Sequence, residues 1–347
     1  MQGAIIGYGT IAQGHCTGYG RLPDMAVTAV VDPSPERRAA AEAQGLRAFP
    51  TLSDLLGDRR PDFLDICTPP SSHWDYIADA IERSIPVLCE KPVFVPARVD
   101  YTSMMKAIAA ADVVVYPCQN YKFAPVFANL RARIKAGQIG EVVSVRVAVM
   151  RASHARGVAE WKPNWRRADE LAAGGILRDH GPHGIYLATS LSGLTPIAVS
   201  CVLGTMRGTP DWTNEDTALL RIRCAGDADI ELYLSWAAGL RDSRYAVTGT
   251  KGFISIENDK LVAGADGRID RELIRSGFDD PAHGEWFAAM LADFRDAVLA
   301  PAQHSEHVRS LLDEAMLTTA VIDAAYRSAE HSGTWCDITQ FAMPVEA

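Results

Sequence analysis

Glycines near the start of the chain, followed at a set distance by an acid, form its most chemically informative pattern. The segment Gly7-Tyr8-Gly9-Thr10-Ile11-Ala12 has the spacing G-x-G-x-x-A, and Asp32 follows Ala12 by twenty residues. The glycines allow a tight turn and let backbone N–H groups approach a pyrophosphate, while the small alanine lets the following helix pack closely on the strand. A carboxylate at the end of the next strand can accept hydrogen bonds from both ribose hydroxyls. The pattern therefore predicts a dinucleotide-binding site.

Asp32 also bears on which dinucleotide binds. A carboxylate at this position repels the 2′-phosphate of NADP, so NAD is the predicted cofactor and NADP is the alternative. Arg37 and Arg38 lie close enough in sequence to pair with that phosphate. In the other interpretation, both arginines lie on the exposed face of a helix that runs from Pro35 to Gln44.

A lysine follows an apolar segment in the same part of the chain. Glu90-Lys91-Pro92 comes directly after Val87-Leu88-Cys89, which is typical of a buried strand. In open α/β sheets, ligands bind beyond the carboxyl ends of the strands. Lys91 is therefore expected to point into that crevice. An isolated lysine is more often a solvated surface group, but the apolar strand before it and the stiff proline after it favour a directed role.

An acid and a histidine form a third group of reactive side chains. Asp179 and His183 are four residues apart, so on a helix they share one face. Pro182 has no N–H group, which suits the first turn of a helix, and the pair is therefore expected near a helix N-terminus. On spacing alone, a capping acid beside an ordinary helical histidine is the favoured interpretation.

Composition indicates an ordinary globular protein. A length of 347 residues suggests about two domains. The formal charge of −9 argues against a general nucleic-acid or anionic-membrane partner. We see no apolar run of transmembrane length and no basic and apolar leader before the first strand. Seven cysteines without a C-x-x-C pair indicate a reduced cytoplasmic protein, and no metal site is predicted.

Two patterns of elements must position these side chains. Up to about Gln119, short apolar runs alternate with helical stretches, which predicts an α/β fold with a doubly wound parallel sheet. Beyond that point the apolar runs are longer and adjacent, which predicts an antiparallel or mixed sheet. Its expected strands are Val142 to Met150, Ile197 to Leu203, Ala218 to Cys224, Ile230 to Trp236 and Tyr245 to Thr248. A helix from about His183 to Leu191 lies between them, and helices return over 285–298 and 306–330.

Further motifs occur in a recognisable order along the chain. They are the glycine motif with Asp32, Thr68-Pro69 followed by His73, Glu90-Lys91-Pro92, Asn120 with Phe123 and Pro125, Ile139-Gly140-Glu141-Val142, Trp165-Arg166, Gly174-Gly175 with Asp179-x-x-x-His183, Thr248-Gly249-Thr250-Lys251-Gly252, and Tyr326 with Ser328-Ala329. With these motifs the chain resembles the glucose–fructose oxidoreductase/inositol dehydrogenase/MocA family over essentially its whole length. The Glu-Lys-Pro and Asp-x-x-x-His elements are the most specific.

The resemblance implies a fold, an assembly and an activity. The fold is an N-terminal dinucleotide-binding Rossmann domain over 1–119 and a substrate-binding and oligomerisation domain over 120–347, whose large open, mostly antiparallel sheet commonly forms a homodimer or homotetramer interface. The activity is NAD(P)-dependent oxidation or reduction of a sugar, cyclitol or related polyol. Two alternatives within such a family stay open: glycoside cleavage or rearrangement through transient oxidation by bound NAD, and a non-catalytic dinucleotide-sensing regulator.

The resemblance also assigns the reactive residues. Lys91 matches the family's catalytic lysine, and Asp179 and His183 match its Asp/His pair. With an ordinary pKa of roughly 6.5, His183 can accept the hydroxyl proton near neutral pH. Lys91 would stabilise the developing charge on the reacting oxygen, and Asp179 would fix the imidazole or bind a neighbouring hydroxyl. The alternative is that Lys91 itself is the base.

The remaining expected site residues surround this centre. The cofactor is expected to contact Gly7, Gly9, Thr10, Ile11, Ala12, Asp32, Arg37, Thr68, Pro69, His73, Glu90, Lys91 and Asn120. The substrate is expected to contact Lys91, Asn120, Trp161, Trp165, Arg166, Asp179 and His183. A sugar presents hydroxyl edges and apolar C–H faces, so a polar pocket with aromatic walls suits it. Trp161 or Trp165 could instead belong to the core.

Overall fold

The computed structural model describes residues 1–95, 101–159, 162–167, 169–208, 212–278 and 283–338. Its first sheet has six parallel strands in the order β3-β2-β1-β4-β5-β6. The strands are β1 Gln2–Ile6, β2 Ala26–Val31, β3 Arg47–Phe49, β4 Phe63–Ile66, β5 Val87–Cys89 and β6 Val115–Pro117. The predicted doubly wound parallel sheet is confirmed.

Helices connect these parallel strands. They are α1 Thr10–Tyr19, α2 Pro35–Glu42, α3 Leu52–Asp58, α4 His73–Glu82 and α5 Tyr101–Ala110. Strand order reverses between β1 and β4, where the chain runs to β2 on one side and later returns on the other. A crevice opens at such a reversal beyond the carboxyl ends of the strands. The loop after β1, which carries the glycine motif, lies at this crevice.

A second sheet of nine strands follows, in the order β14-β13-β12-β11-β7-β10-β9-β8-β15. Its strands are β7 Val142–Met150, β8 Pro196–Gly204, β9 Thr217–Cys224, β10 Asp229–Ser235, β11 Asp242–Gly249, β12 Gly252–Glu257, β13 Lys260–Ala265, β14 Arg268–Leu273 and β15 Cys336–Asp337. Within this sheet, β7 and β10 are the only described strands that pair in parallel, and the other described pairs are antiparallel. The predicted mostly antiparallel sheet is confirmed, but the sequence did not predict β12 to β14.

Five further α-helices lie in the described part of the chain: α6 Pro125–Lys135, α7 Asp169–Ala172, α8 Ile176–Ser192, α9 Gly284–Leu299 and α10 Pro301–Glu330. Helix α8 covers one face of the second sheet, where Leu177, Ile185 and Leu187 are fully buried. Among the described helices, none combines the length and the apolar character that a membrane crossing requires.

Helix α8 begins earlier than the sequence predicted, and this changes the position of Pro182. The helix starts at Ile176, so Pro182 lies inside it and not in its first turn. Glu215 explains the early start, because its carboxylate accepts the N–H groups of Gly175 and Leu177 at 3.0 Å. A buried acid thus satisfies the helix end. Asp179 still lies in the first turn, with His183 one turn later.

Helix α9 belongs in sequence to the second part but packs against the first sheet's core. Phe287, Met290, Leu291 and Phe294 are buried there. Gly18 of α1 permits this contact, because a Cβ atom at that position would lie 2.9 Å from side-chain atoms of Phe287 and Leu291. The late helix therefore fixes the position of α1, whose first turn borders the crevice.

Candidate functional site

The glycine loop after β1 has the geometry of a phosphate cradle. Gly7 has a φ of +89°, and a Cβ on it would lie 3.0 Å from Thr68 Cγ2. Gly9 caps α1, whose first N–H groups receive no side-chain cap, and the space where its Cβ would stand is open. Open space beside unpaired N–H groups at the positive end of a helix suits an anionic pyrophosphate. Ala12 is fully buried, as the motif requires for close packing of the helix.

Asp32 lies at the end of β2 beside this loop. Its Oδ2 accepts the N–H of Tyr8 at 2.8 Å, and its Oδ1 accepts the N–H of Ser34 at 2.9 Å. Each oxygen keeps a further lone pair that a hydroxyl can use. The carboxylate is therefore held by backbone at the position expected of a ribose acceptor.

The two arginines near Asp32 turn back toward the strand end. Arg37 donates its Nε–H to the carbonyl of Tyr8 at 2.8 Å, and Arg38 donates to the carbonyl of Asp32 at 2.8 Å. Arg37 also borders the crevice. Arg37 thus lies at the crevice, and both arginines hydrogen-bond to backbone carbonyls at the strand end.

His73 links two loops at the crevice. Its ring nitrogens face the carbonyl oxygens of Pro92 at 2.8 Å and Thr68 at 2.9 Å, and the ring is buried. The side chain therefore ties the loop after β4 to the loop after β5. It is not among the described residues that line the crevice, whereas Thr68 and Pro69 are.

One cavity of about 380 Å³ joins the two parts of the molecule. Its first-sheet side contains Gly7, Gly9, Thr10, Ile11, Asp32, Arg37, Thr68, Pro69, Glu90 and Lys91, and its other side contains Gly157, Val158, Trp165, Arg166, Leu171, Ala172, Gly174, Arg178 and Asp179. Most residues expected to contact the cofactor therefore lie along one continuous surface. The residues present fit a dinucleotide.

Lys91 and Asp179 meet at the inner end of this cavity. Lys91 Nζ donates to the backbone carbonyl of Asp179 at 2.6 Å and to its Oδ1 at 3.0 Å. Burial alone would raise the pKa of Asp179, but the Lys91 and Arg166 cations hold it well below its usual value. Arg166 Nε lies 3.4 Å from Asp179 Oδ2 and its guanidinium stacks on Trp165, 4.3 Å from the ring centre. A fixed ammonium group thus faces the cavity beside an ionised carboxylate.

His180 is a further neighbour of Asp179. Its Nδ1 lies 3.1 Å from Asp179 Oδ2, and its half-buried ring lies edge-on to Trp236, with 6.2 Å between the ring centres. Burial lowers the pKa of His180, and this effect outweighs the attraction of Asp179. His180 therefore lies against the Asp179 carboxylate as a neutral ring.

His183 lies one helical turn after Asp179. Its Nδ1 and the Tyr186 hydroxyl are 2.7 Å apart, its ring packs 4.2 Å from the ring of Tyr121, and no described residue hydrogen-bonds its Nε2. Burial, then the charge of Lys91, lowers the pKa of His183 well below 6.5. The ring is therefore neutral at neutral pH with one nitrogen available. His183 is not among the described residues that line the cavity.

The remaining expected residues fall in different places. Asn120 is buried in a short 3₁₀ turn and is not among the described residues that line the cavity, whereas Trp165 and Arg166 are. Trp161 lies outside the described residues. Sequence reasoning missed Tyr186, although its position three residues after His183 is a spacing at which helical side chains meet. It also missed His15, whose contacts are described below.

Comparisons with known proteins agree with this geometry. Residues 1–118 match a family model described as "Oxidoreductase family, NAD-binding Rossmann fold", and residues 127–255 match one described as "GFO/IDH/MocA C-terminal domain". The two matches adjoin the point where the chain passes from the first sheet to the second. The first part of the chain is an NAD-binding Rossmann domain.

Curated relatives and a solved structure are also similar. An uncharacterized oxidoreductase of Schizosaccharomyces pombe is 28% identical over 63% of this chain and 58% of its own length. A D-apiose dehydrogenase of Rhizobium rhizogenes is 23% identical over 96% of each chain. The structure of an inositol dehydrogenase homolog from Azotobacter vinelandii, complexed with NAD+, superposes with a TM-score of 0.83 at 20% identity over 97% of each chain. The last comparison shows that the fold is shared.

Proposed function

We propose that this chain, which belongs to the GFO/IDH/MocA oxidoreductase family, is an NAD-dependent dehydrogenase that moves a hydride to or from a hydroxyl-bearing carbon of a sugar, cyclitol or related polyol. The cavity carries the proposal, because it runs from the glycine loop and Asp32 to the Lys91–Asp179 pair. The D-apiose dehydrogenase relative and the likeness to an inositol dehydrogenase homolog support the substrate class.

Lys91, His183 and Asp179 have separate roles in this reaction. Bound NAD supplies the nicotinamide carbon that accepts or gives the hydride. Lys91 donates a hydrogen bond to the reacting oxygen and stabilises its negative charge. His183 accepts the hydroxyl proton at Nε2, and its Nδ1 is held by Tyr186. Asp179 keeps Lys91 in place and offers its second oxygen to a substrate hydroxyl.

The lowered pKa of His183 decides the protonation state in which it works. A histidine must be neutral to accept a proton. Because the pKa of His183 lies well below 6.5, its ring is neutral at pH 6.5 and above. The oxidation rate is therefore expected to be flat across neutral pH. It falls only in acid, as pH drops through the lowered pKa and the base becomes protonated.

The test is a substrate screen of the purified protein. NAD is combined with inositols, free sugars and nucleotide sugars, and the absorbance of NADH is followed together with the product. We expect NADH to accumulate in equal amount to an oxidised product for at least one compound. Cleavage of a glycoside without net NADH would favour the alternative of transient oxidation. Tight NAD binding without any turnover would favour a sensor.

We also propose that NAD is preferred over NADP. The support is the backbone-held carboxylate of Asp32 beside the glycine loop. Replacing Asp32 with Ala removes the ribose acceptor and the repulsion of a 2′-phosphate, so calorimetry is expected to show weaker NAD binding and a smaller gap to NADP. Equal or tighter binding of NADP by the unmodified protein would contradict the proposal.

We further propose that the open face of the second sheet joins two copies of the chain. Val202, Leu219 and Tyr233 lie side by side on β8, β9 and β10, and their exposed fractions are 60%, 42% and 40%. A contiguous exposed apolar strip of this kind is typical of an interface. A concentration-independent monomer mass from sedimentation would contradict a homodimer or homotetramer. Leu219→Lys with Tyr233→Lys is expected to dissociate it, while Leu299→Lys on α9 serves as the control.

The division of the chain and its compartment complete the proposal. Residues 1–119 would bind the dinucleotide, and residues 120–347 would bind the substrate and form the oligomer. The two sheets and their separate apolar cores support this division, with α9 as a later helix that joins the first core. All seven cysteines are free, which supports a reducing cytoplasmic compartment.

A further inference from the structure

A buried group of charged side chains lies next to Lys91 in the chain fold. His15 on α1 is fully buried; its Nδ1 lies 2.8 Å from Asp65 Oδ2, and its Nε2 lies 3.1 Å from Glu90 Oε1. Asp65 is on β4, and Glu90 directly follows β5. These three residues, here named the His15 cluster, join α1 to β4 and to the end of β5.

Glu90 connects the His15 cluster to Lys91. Its other oxygen, Oε2, accepts the backbone N–H of Lys91 at 3.1 Å, and Lys91 Nζ then reaches Asp179 at 3.0 Å. We propose, on the basis of the proposed function, that His15 is a positioning residue: it fixes the Glu90 carboxylate, and Glu90 in turn fixes Lys91 at the cavity. His15 itself does not touch the reacting atoms.

Each of the four carboxylate oxygens of the His15 cluster accepts at least one hydrogen bond. Besides His15, Asp65 Oδ2 accepts the Tyr19 hydroxyl at 2.9 Å and Asp65 Oδ1 accepts the Cys67 thiol at 3.5 Å. Glu90 Oε1 also accepts the Cys118 thiol at 3.0 Å. A buried polar network whose members are all satisfied is rigid and specifies one arrangement. Movement of Glu90 would therefore break several hydrogen bonds at once.

The charges of the His15 cluster favour the same arrangement. Burial alone would lower the pKa of His15, but the Asp65 and Glu90 carboxylates raise it to about 10. Burial would raise the pKa of Glu90, yet the hydrogen bond and charge of His15 lower it below its usual value. His15 is thus a buried cation between two anions at neutral pH. Removing it leaves the two buried carboxylates without the cation that lies between them.

The same side chains could be considered metal ligands, since His15 approaches Asp65 with Cys67 and Glu90 with Cys118. Two observations favour the hydrogen-bonded cluster. Both imidazole nitrogens already face carboxylate oxygens at hydrogen-bond distance. Burial raises the pKa of both thiols well above its usual value, so neither is the thiolate that a metal binds.

The test compares His15→Gln with two controls. Glutamine keeps a donor and an acceptor but removes the positive charge. We expect kcat to fall roughly 10- to 100-fold with little change in KM or in the Kd for NAD, since displacement of a reacting group by an ångström has effects of this order. The ring centres of Phe287 and His15 are 4.5 Å apart, so Phe287→Leu loosens the packing beside His15. It should lower Tm without changing kcat. His331→Gln, on the exposed surface, should change neither.

The pH profile separates positioning from a merely structural role. Without His15, burial still raises the pKa of Glu90, while Tyr19, Cys67 and Cys118 supply no positive charge and Lys91 is the remaining cation. The His15→Gln rate should therefore recover as pH rises and Glu90 ionises again. The unmodified protein should show no such step. A parallel loss of kcat and Tm without this step would overturn the proposal.

A second measurement does not depend on turnover. Acetylation of Lys91 by a small acylating reagent is followed by mass spectrometry of its peptide. We expect it to be faster in His15→Gln than in the unmodified protein, because the amine is no longer held against Asp179, and unchanged in Phe287→Leu. Equal rates, or a stoichiometric metal in the purified protein, would overturn the proposal. Failure of the substrate screen alone would instead refute the proposed dehydrogenase activity.

Discussion

Two buried histidines near Lys91 are held in different charge states, one cationic and one neutral. His15 contacts Glu90, the residue before Lys91, and the carboxylates beside it raise its pKa to about 10, although burial alone would lower it. His183 lies on α8, where burial and the Lys91 charge lower its pKa well below 6.5. Burial acts in the same direction on both rings. The difference comes from their neighbours.

The carboxylates near the two histidines differ in whether they are also paired with a lysine or an arginine. Asp65 and Glu90 face His15 with no other cation bound to their side chains among the described residues. Asp179, near His183, is already paired with Lys91 and approached by Arg166. His15 contacts two carboxylates directly, whereas the described hydrogen-bond partner of His183 is the Tyr186 hydroxyl and the nearby Asp179 is already paired with Lys91. The protein can thus keep one imidazolium for position and one neutral imidazole for proton transfer.

The largest expected effect comes from removing the neutral ring. His183→Ala deletes the proton acceptor, so kcat should fall by roughly 10²–10⁴-fold, which is the usual contribution of general acid–base catalysis. The Kd for NAD should barely change, since the glycine loop and Asp32 lie on the first sheet. Steady-state kinetics and calorimetry check both values, with His331→Ala as the control. Near-normal turnover alongside an inactive Lys91 variant would make Lys91 the base.

The next effect tests why the pKa of His183 is low while that of His15 is high. Lys91→Met removes a donor to the reacting oxygen, and kcat should fall roughly 10²–10³-fold, as for other preorganised donors. It also removes a cation that lowers the pKa of His183, so that pKa should rise. The residual rate should then fall at a higher pH on acidification than in the unmodified protein.

Lys135→Met, at the exposed end of α6, is the matched control for this substitution. An unchanged acid limb in Lys91→Met would show that Lys91 is not what keeps His183 neutral, and the comparison with His15 would lose its explanation.

The smallest effect concerns the hydrogen bond at His183 Nδ1. Tyr186→Phe leaves this nitrogen without its partner 2.7 Å away. Loss of one hydrogen bond of ordinary strength should reduce kcat by roughly 2- to 10-fold. Tyr245→Phe is the matched control, because this buried hydroxyl has no hydrogen-bond partner among the described residues. Equal kcat values for the two variants would show that Tyr186 does not orient the ring.

The sequence predicted the first sheet well because its patterns are local. The glycine loop, Asp32 and the strand before Lys91 each lie within a few residues of the element that positions them. The pairing of Lys91 with Asp179, 88 residues apart, could be inferred only from the family resemblance. Spacing alone left a capping acid open as the role of Asp179.

The rest depended on contacts between distant segments. His15 meets Asp65 and Glu90, which lie 50 and 75 residues away, and nothing in the sequence around His15 indicates two acids. Helix α8 starts early because Glu215, far along the chain, caps it. The fully exposed β14 has no buried face to give it an alternating pattern. Such features follow from tertiary packing, which local patterns do not contain.

The most direct test of a cationic His15 and a neutral His183 is NMR of protein labelled with ¹⁵N in its histidine rings. His15→Gln and His183→Ala identify the two sets of resonances by their loss. At pH 7 we expect both ring nitrogens of His15 to carry protons and His183 to be a neutral ring. When the pH is raised, His15 should remain charged through pH 8. When the pH is lowered, His183 should stay neutral past pH 6.5. Two histidines that titrate together near pH 6.5 would contradict the division between a positioning cation and a neutral base.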